Sequence, residues 1–202
     1  MKREFEAKKQ AFEKLKSKRD NLRETLKQDK QNLRTYKNRL VVAEQGLEVI
    51  RQVAQATQQN LEYHISNIVT TALASVSPDY PEFAAEIDIQ RGKTSLQLYF
   101  VDEGERSKPL DASGGGALDI ASFSLRQSFW SLNKNRPTFI LDEPFKFVSP
   151  DLQEKVSDML KMISEKREVQ IIMVSHADDI NYSADKTFRV EKVGSESKVR
   201  IE

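Results

Sequence analysis

The sequence predicts an α/β chain in which a small head with a parallel sheet core follows a long N-terminal coiled-coil helix. Three observations carry this. Apolar residues recur in heptads from Phe5 to Ile68, prolines at 78 and 81 close that pattern, and residues 137–174 read strand, helix, strand. Composition agrees: with 31% charged and 38% apolar residues over 202 positions, the chain is too polar for one compact globule and fits a solvated rod joined to a smaller core.

At one heptad position stand Phe5, Phe12, Leu26, Leu33, Leu40, Leu47, Ala54, Leu61 and Ile68, broken only by Arg19. Three residues later come Leu15, Leu22, Tyr36, Ala43 and Ile50, with Lys8, Asp29, Thr57, His64 and Thr71 as polar breaks. That is the seam of a coiled coil, and because a lone helix cannot bury it, a partner helix is implied. With no proline inside and Gly46 as the single interior glycine, the helix is expected to reach Val76, roughly 100 Å at 1.5 Å per residue. His64 on the seam reads as a packed imidazole rather than a metal ligand.

Charge follows the same division. Residues 1–40 hold 14 Lys/Arg against 6 Asp/Glu, a net +8 that leaves the other 162 residues at −7 within a total of +1. A basic arm can attract phosphate backbones, although a charged helix face is also simply a solvated one. The absence of cysteine excludes disulfides and thiolate zinc sites. The start, MKREFEAKKQ, lacks an apolar signal core, and no run of about 18 apolar residues is present to span a bilayer. A soluble cytoplasmic protein in a reducing compartment is the expectation.

The segment SVSPDYPEF ends the helix, since each proline removes a donor and disfavours helical geometry before it, and this divides residues 1–76, the arm, from 77–202, the head. AEIDIQ and SLQLYFV alternate as strands about an RGKT turn, and DEGERSKPLD reads as a polar loop. The glycines of ASGGGALDIASFSLRQSFW open a buried helix. PTFIL (137–141) and VQIIMV (169–174) read as buried strands flanking the amphipathic helix SPDLQEKVSDMLKMISEKRE, which is capped near Ser149 or Asp151 with Pro150 in its first turn. KTFRVEKVGSESKVRIE closes the chain as a hairpin about Gly194. A strand–helix–strand unit of this kind favours parallel pairing.

The tripeptide Gly92-Lys93-Thr94 looks like the tail of a P-loop, but Ile87 holds the place of the first glycine and a strand follows instead of a helix. A kinase built on Lys93 is therefore rejected. FILDEP is the stronger signal. It delivers Asp142 and Glu143 to the carboxyl end of a strand, where open α/β sheets bind ligands. Asp142 could there hold Mg2+ through water, and Glu143 could orient or deprotonate an attacking water. The three glycines after Ser113 let backbone amides approach an anion at a helix start. His176, 33 residues after Glu143, closes the second strand at the same sheet edge.

Glycine cradle, strand with Asp-Glu, helix, strand with Ser-His is an order that resembles the C-terminal lobe of ABC-type ATPases over residues 112–176. With the incoming coiled coil, the chain resembles SMC-like DNA-repair ATPases, the class that includes SbcC and RecN. The resemblance implies that Ser113, Gly114 and Gly115 reach the γ-phosphate of ATP held by an opposite head. It further implies that Asp142 is the Walker B magnesium ligand, Glu143 the catalytic glutamate, Phe147-Val148-Ser149 the D-loop segment and His176 the switch histidine. Two positions depart from the pattern: Gly116 stands where Gln, Glu or Lys is usual, and Ser149 where Asp is usual.

In such proteins the P-loop lies in an N-terminal lobe joined to an outgoing arm. The resemblance thus implies that the chain starts on the returning arm, as a fragment or split product that does not hydrolyse ATP alone. The implied partners are that P-loop lobe, a second head in a homodimer, DNA and a nuclease subunit, with ATP and Mg2+ as cofactors and no membrane. A condensin-type chromosome organiser would use the same head. A non-catalytic coiled-coil interaction protein with a degenerate head is the alternative from another class, and in it Asp142→Ala would change nothing.

Overall fold

In the computed structural model, which describes residues 1–90, 93–112, 114–133, 136–177 and 179–202, helix α1 runs from Lys2 to Val76. The chain resolves into two compact units, Met1–Thr57 and Gln58–Glu202. Within the first, Phe5, Phe12, Leu15, Leu22, Leu26, Leu33, Leu40 and Leu47 all lie exposed, so the heptad seam is bare among the described residues.

Within the second unit the last turns of α1 are core. Ile65, Val69, Ala72, Leu73 and Val76 are buried, at steps of four, seven, eight and eleven from the first. That is the 3.6-residue period of a helix packed on a globule. The heptad reading carried the seam on through Ile68 and Thr71, but Ile68 is half-buried and Thr71 exposed. A straight helix drifts from a seven-residue repeat by about 20° per heptad, which suffices to bring a different face inward.

Strands β1 (Glu82–Gln90), β2 (Lys93–Asp102) and β3 (Glu105–Ser107) form an antiparallel sheet in that order. Phe83 pairs with Phe100 across β1 and β2, and their rings meet edge-to-face at 5.8 Å. The expected RGKT turn falls partly on Arg91 and Gly92, outside the described residues. DEGERSKPLD is not a plain loop: Glu103 and Gly104 take φ of 48° and 86°, the left-handed pair of a type I′ turn, and β3 pairs back on β2. Helix α2 (Pro109–Ala112) follows.

The free edge of β1 is closed by α1. In an antiparallel strand alternate residues point both backbone groups to the same side. Residues 83, 85 and 87 face away from β2, and α1 meets them with polar side chains four residues apart. Thr70 Oγ1 accepts the Phe83 amide at 2.9 Å and donates to the Phe83 carbonyl at 3.2 Å. Ser66 Oγ accepts the Ala85 amide at 2.9 Å. Glu62 Oε1 accepts the Ile87 amide at 2.7 Å, and Gln58 Nε2 donates to the Ile87 carbonyl at 2.9 Å.

Helix α3 (Gly115–Asn133) buries Ala117, Ile120, Ala121 and Phe123 in the same core as α1. Each large side chain so buried contributes about 1.5–3 kcal/mol. His64 is packed as the sequence suggests, its Nε2 lying 3.0 Å from Ser131 Oγ of α3. Strand β4 (Thr138–Asp142), helix α4 (Pro150–Arg167) and strand β5 (Gln170–Val174) make the parallel unit, with Thr138 level with Gln170 and Asp142 level with Val174. Ser149 is the N-cap residue of α4 and Pro150 opens its first turn.

Both strands were expected to be buried, and they are buried on one face only. Leu141 is buried and Phe139, Ile171 and Met173 pack on the core, whereas Ile140 is 79% and Val174 62% exposed. A continuous apolar run does not say which of its faces the chain itself covers. A 3₁₀ turn (Asp179–Asn181) leads to the closing hairpin of β6 (Phe188–Val193) and β7 (Glu196–Ile201), which turns at Gly194 with φ 69°. Ser183 ties this stretch to α4, its amide donating to Ser157 Oγ at 2.9 Å.

Candidate functional site

The parallel register of β4 and β5 sets the geometry. Because Asp142 and Val174 are level, the residues just beyond them leave the sheet side by side. The Glu143 amide donates to the Val174 carbonyl at 2.8 Å, which holds Glu143 at φ 44°. A non-glycine residue in the left-handed region costs about 1–2 kcal/mol, and Pro144 follows it directly. The side chain so aimed reaches His176, whose Nδ1 lies 2.9 Å from Glu143 Oε1. Asp142, Glu143 and His176 are all exposed at this edge.

Beyond Glu143 the chain is pinned to α3. Phe145 is buried and meets Phe123 edge-to-face at 5.6 Å. The Phe147 amide donates to Asp119 Oδ2 at 2.9 Å. At Gly115 a Cβ would sit 2.5 Å from Phe147 Cβ, and at Gly116 it would sit 2.9 Å from Tyr80 Oη and 3.2 Å from the Phe147 carbonyl. Neither position admits a side chain as the backbone stands. Gly114, by contrast, faces open space. Ser113 lies outside the described residues. Ser149 is exposed, and its side chain makes no capping hydrogen bond.

The sequence-predicted residues thus fall in two groups. Asp142, Glu143 and His176 share the strand edge, Gly114 and Gly115 stand at the start of α3, and residues 144–148 join the two. Phe147, in the segment expected at the D-loop, belongs to this joint, and so do Asp119 and Tyr80, which were not anticipated. Asp119 carried a signal, being the one acid in α3, four residues after Gly115. Burial pushes its carboxyl above the usual carboxylate range, and the Phe147 amide partly opposes this. Burial likewise raises Tyr80, with Asp151 and Asp119 adding to the effect.

The groove beside Gly114 is lined by Asp79, Asp102, Glu103 and Glu105 with Arg106, and neither Asp142 nor Glu143 contributes to it. With four carboxylates against one guanidinium, its lining is net acidic. Among the described residues no group of three or more His, Cys, Asp or Glu side chains is placed to cage a metal. A single exposed carboxylate such as Asp142 suits Mg2+, which takes one or two carboxylates and keeps much of its water. Among the described residues no helix is long and apolar enough to cross a membrane.

A long helix entering a head whose parallel strands end in Asp-Glu and Ser-His defines a class, and solved structures agree with it. The chain has the fold of an SMC ATPase head. It superposes with a TM-score of 0.55 on a chain solved for the structural biochemistry of ATP-driven dimerization and DNA-stimulated activation of SMC ATPases, at 19% identity, covering 73% of this chain and 88% of that one. Against the Smc head domain with an extended coiled coil from Pyrococcus furiosus, bound to the C-terminal domain of ScpA, the TM-score is 0.56 at 18% identity, covering 77% and 39%.

Sequence narrows the likeness to Rad50. The chain is 33% identical over 112 residues to the DNA double-strand break repair Rad50 ATPase of Archaeoglobus fulgidus, covering 55% of this chain and 12% of that protein. It is 31% identical over 162 residues to the Rad50 ATPase of Sulfolobus acidocaldarius, covering 77% and 18%. The DNA repair protein RecN of Aquifex aeolicus is 31% identical over 106 residues, covering 50% and 18%. No family model matches. The chain is thus similar to Rad50 and RecN proteins in sequence and to SMC heads in fold, and it spans 12–18% of the length of these curated relatives.

Proposed function

We propose that the chain is the C-terminal lobe of a Rad50-like ATPase head that acts in DNA double-strand-break repair. In this reading it supplies the signature turn, Walker B acids and switch histidine for ATP-dependent head dimerisation and hydrolysis. The observation that carries the reading is the contact of His176 with Glu143 at the strand edge beside Asp142. Asp142 would hold Mg2+, which when bound supplies charge neutralisation at the phosphates. Glu143 takes the proton of the attacking water, and His176 fixes the direction of its carboxylate until it turns to the γ-phosphate. Ser113, Gly114 and Gly115 present backbone amides to the nucleotide of an opposite head, and Ser149 meets that head beside them.

The reading requires a P-loop lobe with an outgoing arm to pair with the bare seam of α1, and a second head. Binding would be coupled to dimerisation because nucleotide held by both heads favours the closed pair. The net charge of +8 over residues 1–40 supports DNA as a ligand of the arm, and a nuclease subunit is the partner such a machine would move. The fold likeness to Smc heads also admits a chromosome-organising role, but the sequence likeness is to Rad50 at 31–33% identity, which favours repair. In the assembled head, Glu143→Gln should lower turnover by about 10²-fold or more and accumulate ATP-bound dimers seen by light scattering. Unchanged turnover would remove Glu143 from its role.

A further inference from the structure

One face of α3 follows the segment after Glu143 along its whole course. Gly115 and Gly116, Asp119 and Phe123 lie about four residues apart, hence one above another. They meet, in turn, Phe147 and the Val148 backbone, the Phe147 amide, and the Phe145 ring. Two of these three contacts are steric. The third is a directed hydrogen bond to a carboxylate, stronger than one between neutral groups, and it sits midway between the glycines and the aromatic pair. Asp119 is half-buried, a position in which a carboxylate costs stability unless a donor meets it.

We propose that Asp119 is a positioning residue: by accepting the Phe147 amide it fixes the segment that ends at Ser149 to the start of α3, so that the glycine turn and Ser149 meet a second head as one rigid edge. The inference rests on the two-head reading given above. It assigns Asp119 no contact with nucleotide. Its work is to keep two parts of one docking edge in register, and therefore to set the strength of head association rather than ATP binding by one head.

Two variants and three readouts test this. In this chain, amide exchange of Phe147 should accelerate by about tenfold in Asp119→Ala and return toward the wild-type rate in Asp119→Asn, which keeps an acceptor oxygen. In the assembled head, Asp119→Ala should weaken ATP-dependent association by about tenfold while ATP binding to separated heads is unchanged, and Asp119→Asn should restore association. Unchanged Phe147 exchange overturns the proposal, and so does faster exchange with association as strong as wild type. Loss of ATP binding to separated heads also overturns it, because that effect is not one of positioning. Wild-type heads that fail to associate with ATP mark a different failure, that of the two-head reading, and take the proposal with them.

Discussion

Nδ1 of His176 lies 2.9 Å from Oε1 of Glu143, a contact between residues 33 positions apart. It exists because parallel pairing brings Asp142 level with Val174, so that the chain leaves both strands at one height. The side chains are 69% and 40% exposed, and a pair so wet adds about 0–1 kcal/mol at most. Its consequence is directional: the carboxylate is aimed before any ligand arrives.

That aim depends on a left-handed backbone at Glu143. Replacement by glycine removes the steric cost of φ 44°, whereas replacement by alanine keeps it. Glu143→Gly should therefore be more stable than Glu143→Ala by about 1 kcal/mol in urea unfolding, although both lose the carboxylate. Equal stabilities would show that the left-handed conformation is not enforced.

Adjacent glycines at the start of α3 should respond differently to a methyl group. Gly115→Ala places a Cβ 2.5 Å from Phe147 Cβ and should cost about 1–3 kcal/mol, lowering the melting temperature by several degrees. Gly114→Ala meets nothing within 4 Å and should stay within about 0.5 kcal/mol of wild type. Thermal melts of the two variants side by side decide the matter.

The closed edge of β1 gives a third expectation. Thr70→Val keeps the shape of the side chain but removes both hydrogen bonds to Phe83, one of them to a strand amide. The loss should be about 1–3 kcal/mol in urea unfolding, with faster amide exchange at Phe83. If Phe83 exchange is unchanged, the hydroxyl is not what protects that edge.

How much of this was legible depends on whether a signal is local. The helix stop at Pro78, the strand tip at Asp142 and Glu143, the cap at Ser149 and the turn at Gly194 each follow from residues near one another in sequence. The type I′ turn at Glu103-Gly104 was missed because glutamate rarely takes its first left-handed position. Gln58, Glu62, Ser66 and Thr70 read as an ordinary polar helix face, since the strand they serve is up to 29 residues away. Gly116 departed from the family pattern without visible reason. The reason is spatial: Tyr80 and the Phe147 carbonyl occupy the room a side chain would need. The uncovered side of β4 and β5 could not be read from apolar runs that look the same whether one face or both are packed.

The helix side chains along β1 also decide where that sheet can accept a newcomer. A bare outer strand is a template on which a foreign segment can add backbone to backbone, the first step of runaway fibre growth. On β1 the amides such an intruder would need at Phe83, Ala85 and Ile87 are already occupied. On the far side β3 pairs with Phe100–Asp102 of β2 alone, so among the described residues it is Lys93–Tyr99 that has no strand beside it there and where a newcomer could add.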